Sequence, residues 1–175
     1  VRKNHTSRRD AFETVGADPV GTIDYDTETV RFRREYAERG ATDLDVRTDL
    51  NGNVDLLKFT PGLDVDRYAA MLRDADLDGL VIEGTGLGHV HTDLNPVIED
   101  LTDDGVVVAM TSGCLAGRVC DRVYDTGRDL LDAGVVEAGE TVPGTARAQL
   151  RWGLERLEYP AAAMRRPGGE HRQPR

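Results

Sequence analysis

Gly79-Leu80-Val81-Ile82-Glu83-Gly84-Thr85-Gly86-Leu87-Gly88-His89 joins a short apolar run to a glycine-rich loop. Leu80, Val81 and Ile82 suit a parallel strand covered on both faces. Glu83 ends the run, and Gly84, Gly86 and Gly88 follow at alternate positions. A strand that runs into a flexible loop at its carboxyl end marks the crevice where open α/β sheets bind ligands. Glycine there lets backbone N–H groups come close to the ligand. The spacing is Gly-x-Gly-x-Gly and not Gly-x-Gly-x-x-Gly, so a plain tight turn explains it equally well. Glu83, Gly84, Thr85 and Gly86 are thus candidates for a ligand or interface loop, with Glu83 a strand-end acid or an acceptor for the loop.

The flanks extend the pattern. Val54-Asp55-Leu56-Leu57-Lys58-Phe59 predicts a strand, Pro61-Gly62 a turn, and Asp64 the cap of a helix carrying Val65, Tyr68, Ala69 and Leu72 at helical spacing. A helix from about Asn95 has Pro96 in its first turn and Val97, Ile98 and Leu101 facing inward. Residues 106–110 predict a third strand, ending in a hydroxyl-and-glycine loop at Thr111-Ser112-Gly113. Helical patterns cover residues 123–133, stopped by Gly134, and residues 145–157. Strand–helix alternation of this kind implies right-handed βαβ crossovers and a small parallel sheet flanked by helices, an α/β fold.

Upstream, Val20 to Tyr25 and Thr29 to Phe32 alternate across Asp26-Thr27-Glu28, as in a β-hairpin. Thr6 or Ser7 can cap a short helix, with Asp10 three residues after Ser7. The expected organisation is residues 1–34 with the hairpin, a linker over 35–53, an α/β domain over 54–158 and a disordered tail over 159–175. Pro167-Gly168-Gly169 and Pro174 discourage order in that tail.

The formal net charge is −10, from 32 acids against 22 bases, and only Lys3 and Lys58 are lysines. So many carboxylates with so few lysines suggest a cytoplasmic protein of a high-salt organism, kept hydrated by its acidic surface. Such a surface repels phosphate backbones, which argues against direct nucleic-acid binding. No apolar run nears the ~20 residues of a membrane span, and no signal-peptide pattern opens the chain. The first residue is Val inside what reads as working sequence, so we expect a fragment. Cys114 and Cys120 lack the spacing of a zinc site or a disulfide framework and read as reduced thiols.

Few residues offer chemistry by themselves. Lys3 is a catalytic cation or base, or an exposed charge beside a helix start. His89 and His91 face one side of an extended segment, but no third metal ligand follows at a convincing spacing. There is no P-loop, nucleophile elbow or Cys/His pair.

Val1-Arg2-Lys3-Asn4-His5-Thr6-Ser7-Arg8-Arg9-Asp10-Ala11-Phe12 resembles the stretch that carries the catalytic lysine of the bacterial-type asparaginase and glutaminase family. Val81 to His89, Gly117-Arg118-Val119, Val123 to Val136 and Thr145-Ala146-Arg147 resemble its C-terminal domain, in the branch serving archaeal tRNA-dependent amidation. The blocks fall in family order up to about Arg156, and the family's closing residues are not recognisable after Tyr159. The resemblance implies an asparaginase C-terminal-type domain preceded by the end of a larger N-terminal domain, of which residues 1–34 are the remnant. It implies amide hydrolysis by a threonine nucleophile in a Thr-Asp-Lys arrangement, with Lys3 matching the lysine. No cofactor is implied for that step. ATP and Mg belong to the partner, the amidotransferase's E subunit, which uses the ammonia and holds most of the tRNA. The resemblance implies self-association as well. The family's Thr-Gly-Gly-Thr and Thr-Asp-Thr motifs are absent here, so this chain alone is expected to be inactive. Glutamine or asparagine as substrate stays open, as does a non-catalytic scaffold.

Overall fold

The computed structural model describes residues 1–120 and 122–164. The chain divides into two units, Val1–Thr48 and Asp49–Arg175.

In the first unit, β1 (Arg2–Lys3) pairs antiparallel with β2 (Phe12–Glu13), and Lys3 lies opposite Phe12. The helix expected from Thr6 or Ser7 does not form. No apolar stripe follows to hold it, and His5 Nδ1 accepts the N–H groups of Ser7 and Arg8, both at 3.2 Å, which bends the backbone into a turn. The predicted hairpin is present as β3 (Gly21–Asp24) and β4 (Thr29–Phe32). Asp24 closes its turn by accepting from the N–H groups of Asp26 and Thr27, both at 3.0 Å. Thr27 foremost, these bonds hold the Asp24 carboxyl below its usual range. Side-chain alternation puts Thr22, Asp24, Thr29 and Arg31 on one face and Ile23, Val30 and Phe32 on the other. That apolar face is more than half exposed, at 59%, 56% and 54% for the three residues.

The second unit is built on four parallel strands in the order β5 (Val54–Lys58), β6 (Gly79–Gly84), β7 (Val107–Ser112) and β8 (Val136–Glu137). Three crossovers step in one direction through α1 (Val65–Asp74), α2 (Asn95–Asp103) and α3 (Asp125–Asp132). With one handedness they must lay their helices on the same face. Leu57, Leu80, Ile82, Val108 and Met110 meet Leu72, Val97, Ile98, Leu101 and Leu130 there. The alternate residues Val54, Val81 and Ala109 point the other way and meet Ala146 and Leu150 of α4 (Pro143–Arg156). Asp64 caps α1 by accepting from the N–H of Arg67 at 3.1 Å, as its position suggests.

Glycine lets α4 lie close to its neighbours. A Cβ at Gly79 would come within 2.8 Å of Leu150, and one at Gly153 within 2.8 Å of Ala163 Cβ and 2.9 Å of Pro160 O. Arginines of α4 then hold the entering segment. Arg147 Nε donates to Val54 O at 2.6 Å, Arg151 to Gly52 O at 3.1 Å and also to Leu50 O, and Arg156 to Asp49 O at 2.9 Å. Glu155 accepts from the N–H of Asn51 at 3.0 Å.

Three boundaries differ from expectation. Residues 49–53 belong to the second unit, because side chains of α4, distant in sequence, fasten them. β7 continues through Thr111 and Ser112, which pair with β6 where a loop was expected. The tail expected from residue 159 is ordered over Pro160–Met164, a 3-10 turn that buries Met164 against the α4 side of the sheet. Pro167-Gly168-Gly169 and Pro174 lie outside the described residues.

Gly153→Ala adds helix propensity of ~1 kcal/mol but drives a methyl into backbone. We expect net destabilisation of roughly 1–3 kcal/mol from overpacking, read as a lower urea midpoint at constant salt. Arg151→Ala strips charged donors from two carbonyls and should cost about 1.5–3 kcal/mol. Proteolysis should then reach residues 49–53 sooner than in the parent chain.

Candidate functional site

Strand β6 ends at the sheet's carboxyl edge, and every candidate residue of the second unit lies on or beside that edge. Glu83 stands opposite Lys58 in the β5–β6 register and forms an ion pair with it. The Glu83 side chain is only 13% exposed, whereas that of Lys58 is 62% exposed. Its carboxylate is the partner of a lysine, and its backbone carbonyl accepts from the N–H of Phe59 at 2.9 Å.

The loop after Glu83 folds back on itself. A Cβ at Gly84 would meet Gly88 C at 2.8 Å and His89 O at 3.0 Å, so only glycine fits. Gly88 has φ +104°, the left-handed region. Thr85 N–H donates to His89 O at 2.9 Å and Gly88 N–H to Thr85 O at 2.7 Å. The Thr85 hydroxyl also reaches His89 O, at 3.2 Å. These N–H groups are consumed inside the loop, which weighs against a phosphate cradle.

Strand β7 anchors the loop from the other side. Gly113 N–H donates to Gly84 O at 2.9 Å and the Ser112 hydroxyl to Gly86 O at 2.7 Å. The same hydroxyl accepts from the N–H of Cys114 at 2.9 Å, and Cys120 N–H donates to Leu87 O at 3.0 Å. Ser112 is the residue that sequence reasoning undervalues. In the sequence it is one of several loop hydroxyls, and its bridging role shows only once β6 and β7 are in register.

His89 and His91 do not converge. The His89 ring meets Tyr124 edge-on at 5.5 Å, with its Nε2 buried and unpartnered. His91 Nδ1 accepts from the N–H of Asp93 at 3.3 Å. Among the described residues no group of three or more His, Cys, Asp or Glu side chains could hold a metal ion. Nor is any helix among them long and apolar enough to cross a membrane. The edge is therefore a rim of carbonyls and glycines tied together by hydrogen bonds, with the His89–Tyr124 pair beside it.

Lys3 belongs to the other unit. It is exposed, with Nζ 5.9 Å from the Phe12 ring centroid and no ion pair among the described residues.

Residues 53–166 match the glutaminase/asparaginase C-terminal domain. The chain is 63% identical over 166 residues to the D subunit of glutamyl-tRNA(Gln) amidotransferase from Haloquadratum walsbyi, covering 95% of this chain and 38% of the relative. It is 57% identical to the protein of that name from Halobacterium salinarum, covering 94% and 40%. The chain thus spans about two fifths of these relatives' length, and both come from haloarchaea, in keeping with its acid-rich, lysine-poor composition. Among solved structures, the L-asparaginase of Thermococcus kodakarensis superposes with a TM-score of 0.74 at 28% identity, over 94% of this chain and 50% of that one. L-asparaginase I of Vibrio cholerae has a TM-score of 0.76 at 21% identity, over 95% and 51%, a likeness of fold. The crossover topology, the glycine-bound rim and these matches agree: the chain belongs to the glutaminase/asparaginase C-terminal domain family.

Proposed function

We propose that this chain supplies the lysine-bearing segment and the C-terminal domain of an ammonia-generating glutamine amidohydrolase. That enzyme works within an archaeal tRNA-dependent amidotransferase converting Glu-tRNA(Gln) to Gln-tRNA(Gln). One observation carries the reading: the match to the Haloquadratum relative takes in 166 residues, 95% of the chain, and so enters both units.

In this reading a threonine hydroxyl outside these residues attacks the side-chain amide of glutamine. Ammonia leaves, and water then releases glutamate from the acyl-enzyme. Lys3 receives the hydroxyl's proton. An amine in open water holds its own proton at neutral pH and is a poor base, so burial or neighbouring charge must free it. The exposure of Lys3 fits a site completed by the polypeptide that bears the threonine. Glu83, Gly84, Thr85 and Gly86 serve as an interface rim toward a neighbouring polypeptide. The amidotransferase's E subunit consumes the ammonia with ATP and Mg and holds the tRNA, which suits the acidic surface here. The whole assembly is cytoplasmic and self-associating.

A second reading, an L-asparaginase, is favoured by the likeness to the Thermococcus enzyme. A third, an inert oligomerisation domain, draws on the apolar hairpin face of Ile23, Val30 and Phe32.

A chimera separates the three: this chain replaces the matched segment of the Haloquadratum relative, and ammonia release is measured at high salt. We expect turnover of glutamine above asparagine, a loss of roughly 10²–10⁴-fold in Lys3→Met, and none from this chain alone. Preference for asparagine supports the second reading. Full turnover in Lys3→Met, or ammonia from this chain by itself, overturns the assignment.

A further inference from the structure

We infer that His5 is a positioning residue, shaping through its neutral Nδ1 the loop that presents Lys3. The inference rests on the reading of Lys3 as proton acceptor. β1 and β2 contribute two residues each, and a ladder so short does not hold its own register. The loop between them must do so. Asn4 N–H donates to Ala11 O at 2.7 Å, which brings the loop's ends together. Asn4 Nδ2 donates to Glu13 Oε2 at 3.0 Å across the same pair of strands.

Inside the loop, His5 Nδ1 accepts from the N–H of Ser7 and of Arg8, each at 3.2 Å. This is the bonding by which an Asn or Asp side chain closes a turn on its own backbone. An imidazole can do it only when neutral and with its proton on Nε2. Protonation converts Nδ1 from acceptor to donor and sets N–H against N–H, so the turn must open two residues from Lys3. Hydrogen bonding to Arg8 holds the Asp10 carboxyl below the usual range, and the two side chains form an ion pair in the same loop. The bonds of that ion pair run between side chains, so the N–H groups of Ser7 and Arg8 are left to one ring nitrogen.

The intact chain tests the turn. Nitrogen-15 NMR of the neutral His5 ring should show the Nε2–H tautomer. In His5→Ala, amide exchange at Ser7 and Arg8 should accelerate roughly three- to tenfold, and His5→Asn, which keeps an acceptor at that point, should restore it. An Nδ1–H tautomer, or unchanged exchange in His5→Ala, overturns the proposal. The chimera tests the consequence. His5→Ala should lower kcat with KM little changed, and His5→Asn should recover kcat. Full kcat in His5→Ala beside an inactive Lys3→Met removes the role of His5 alone. Full kcat in Lys3→Met removes the Lys3 reading and the catalytic role of His5 with it.

Discussion

Burial of β6 from both sides is the constraint on which the second unit depends. Leu80, Val81 and Ile82 are fully buried, and successive side chains enter opposite clusters. Each such burial is worth about 1.5–3 kcal/mol, whereas an ion pair with an exposed member, such as Lys58–Glu83, contributes roughly 0–1 kcal/mol. The strand's position is therefore set by packing, and the ion pair at its end is placed by that packing. The loop at the carboxyl edge starts from a fixed point, and its shape follows from glycine at Gly84 and Gly88 and from the Ser112 bridge.

The α4 side of the sheet presents Val54, Val81 and Ala109, with glycine at Gly79, to Ala146 and Leu150 of the helix. Small side chains let the helix approach, and the approach brings Arg147, Arg151 and Arg156 within reach of backbone carbonyls. A guanidinium suits that task, since its fixed fork of donors can serve two carbonyls at once. Salt bridges among the described residues each include an exposed member, and concentrated salt screens such pairs. Bonds from arginine to neutral carbonyls are less exposed to that screening, and they leave most carboxylates facing solvent.

Lys3 and the glycine rim sit in different units. Lys3 sits on a hairpin whose geometry comes from hydrogen bonds within a short loop. The glycine rim sits on a sheet whose geometry comes from a packed core. The first arrangement is held by a few polar contacts, the second by a buried core.

Much of this architecture was legible in the residues themselves. Apolar runs located β5, β6 and β7, periodicity located α1 to α4, and Asp64 and Pro96 marked two helix starts, because these signals depend on a residue and its close neighbours in the chain. Contacts between distant residues decided the rest. The 3-10 turn at Pro160–Met164 is held by packing on α4 and the sheet, and residues 49–53 by arginines about a hundred positions away. β8 is two residues long and exists because β7 offers it an edge. Ser112 became a bridge and Glu83 a lysine's partner only when register set them beside Gly86 and Lys58. Sequence could name these groups as candidates, but a hydrogen bond or ion pair needs two partners, and folding alone chose the second.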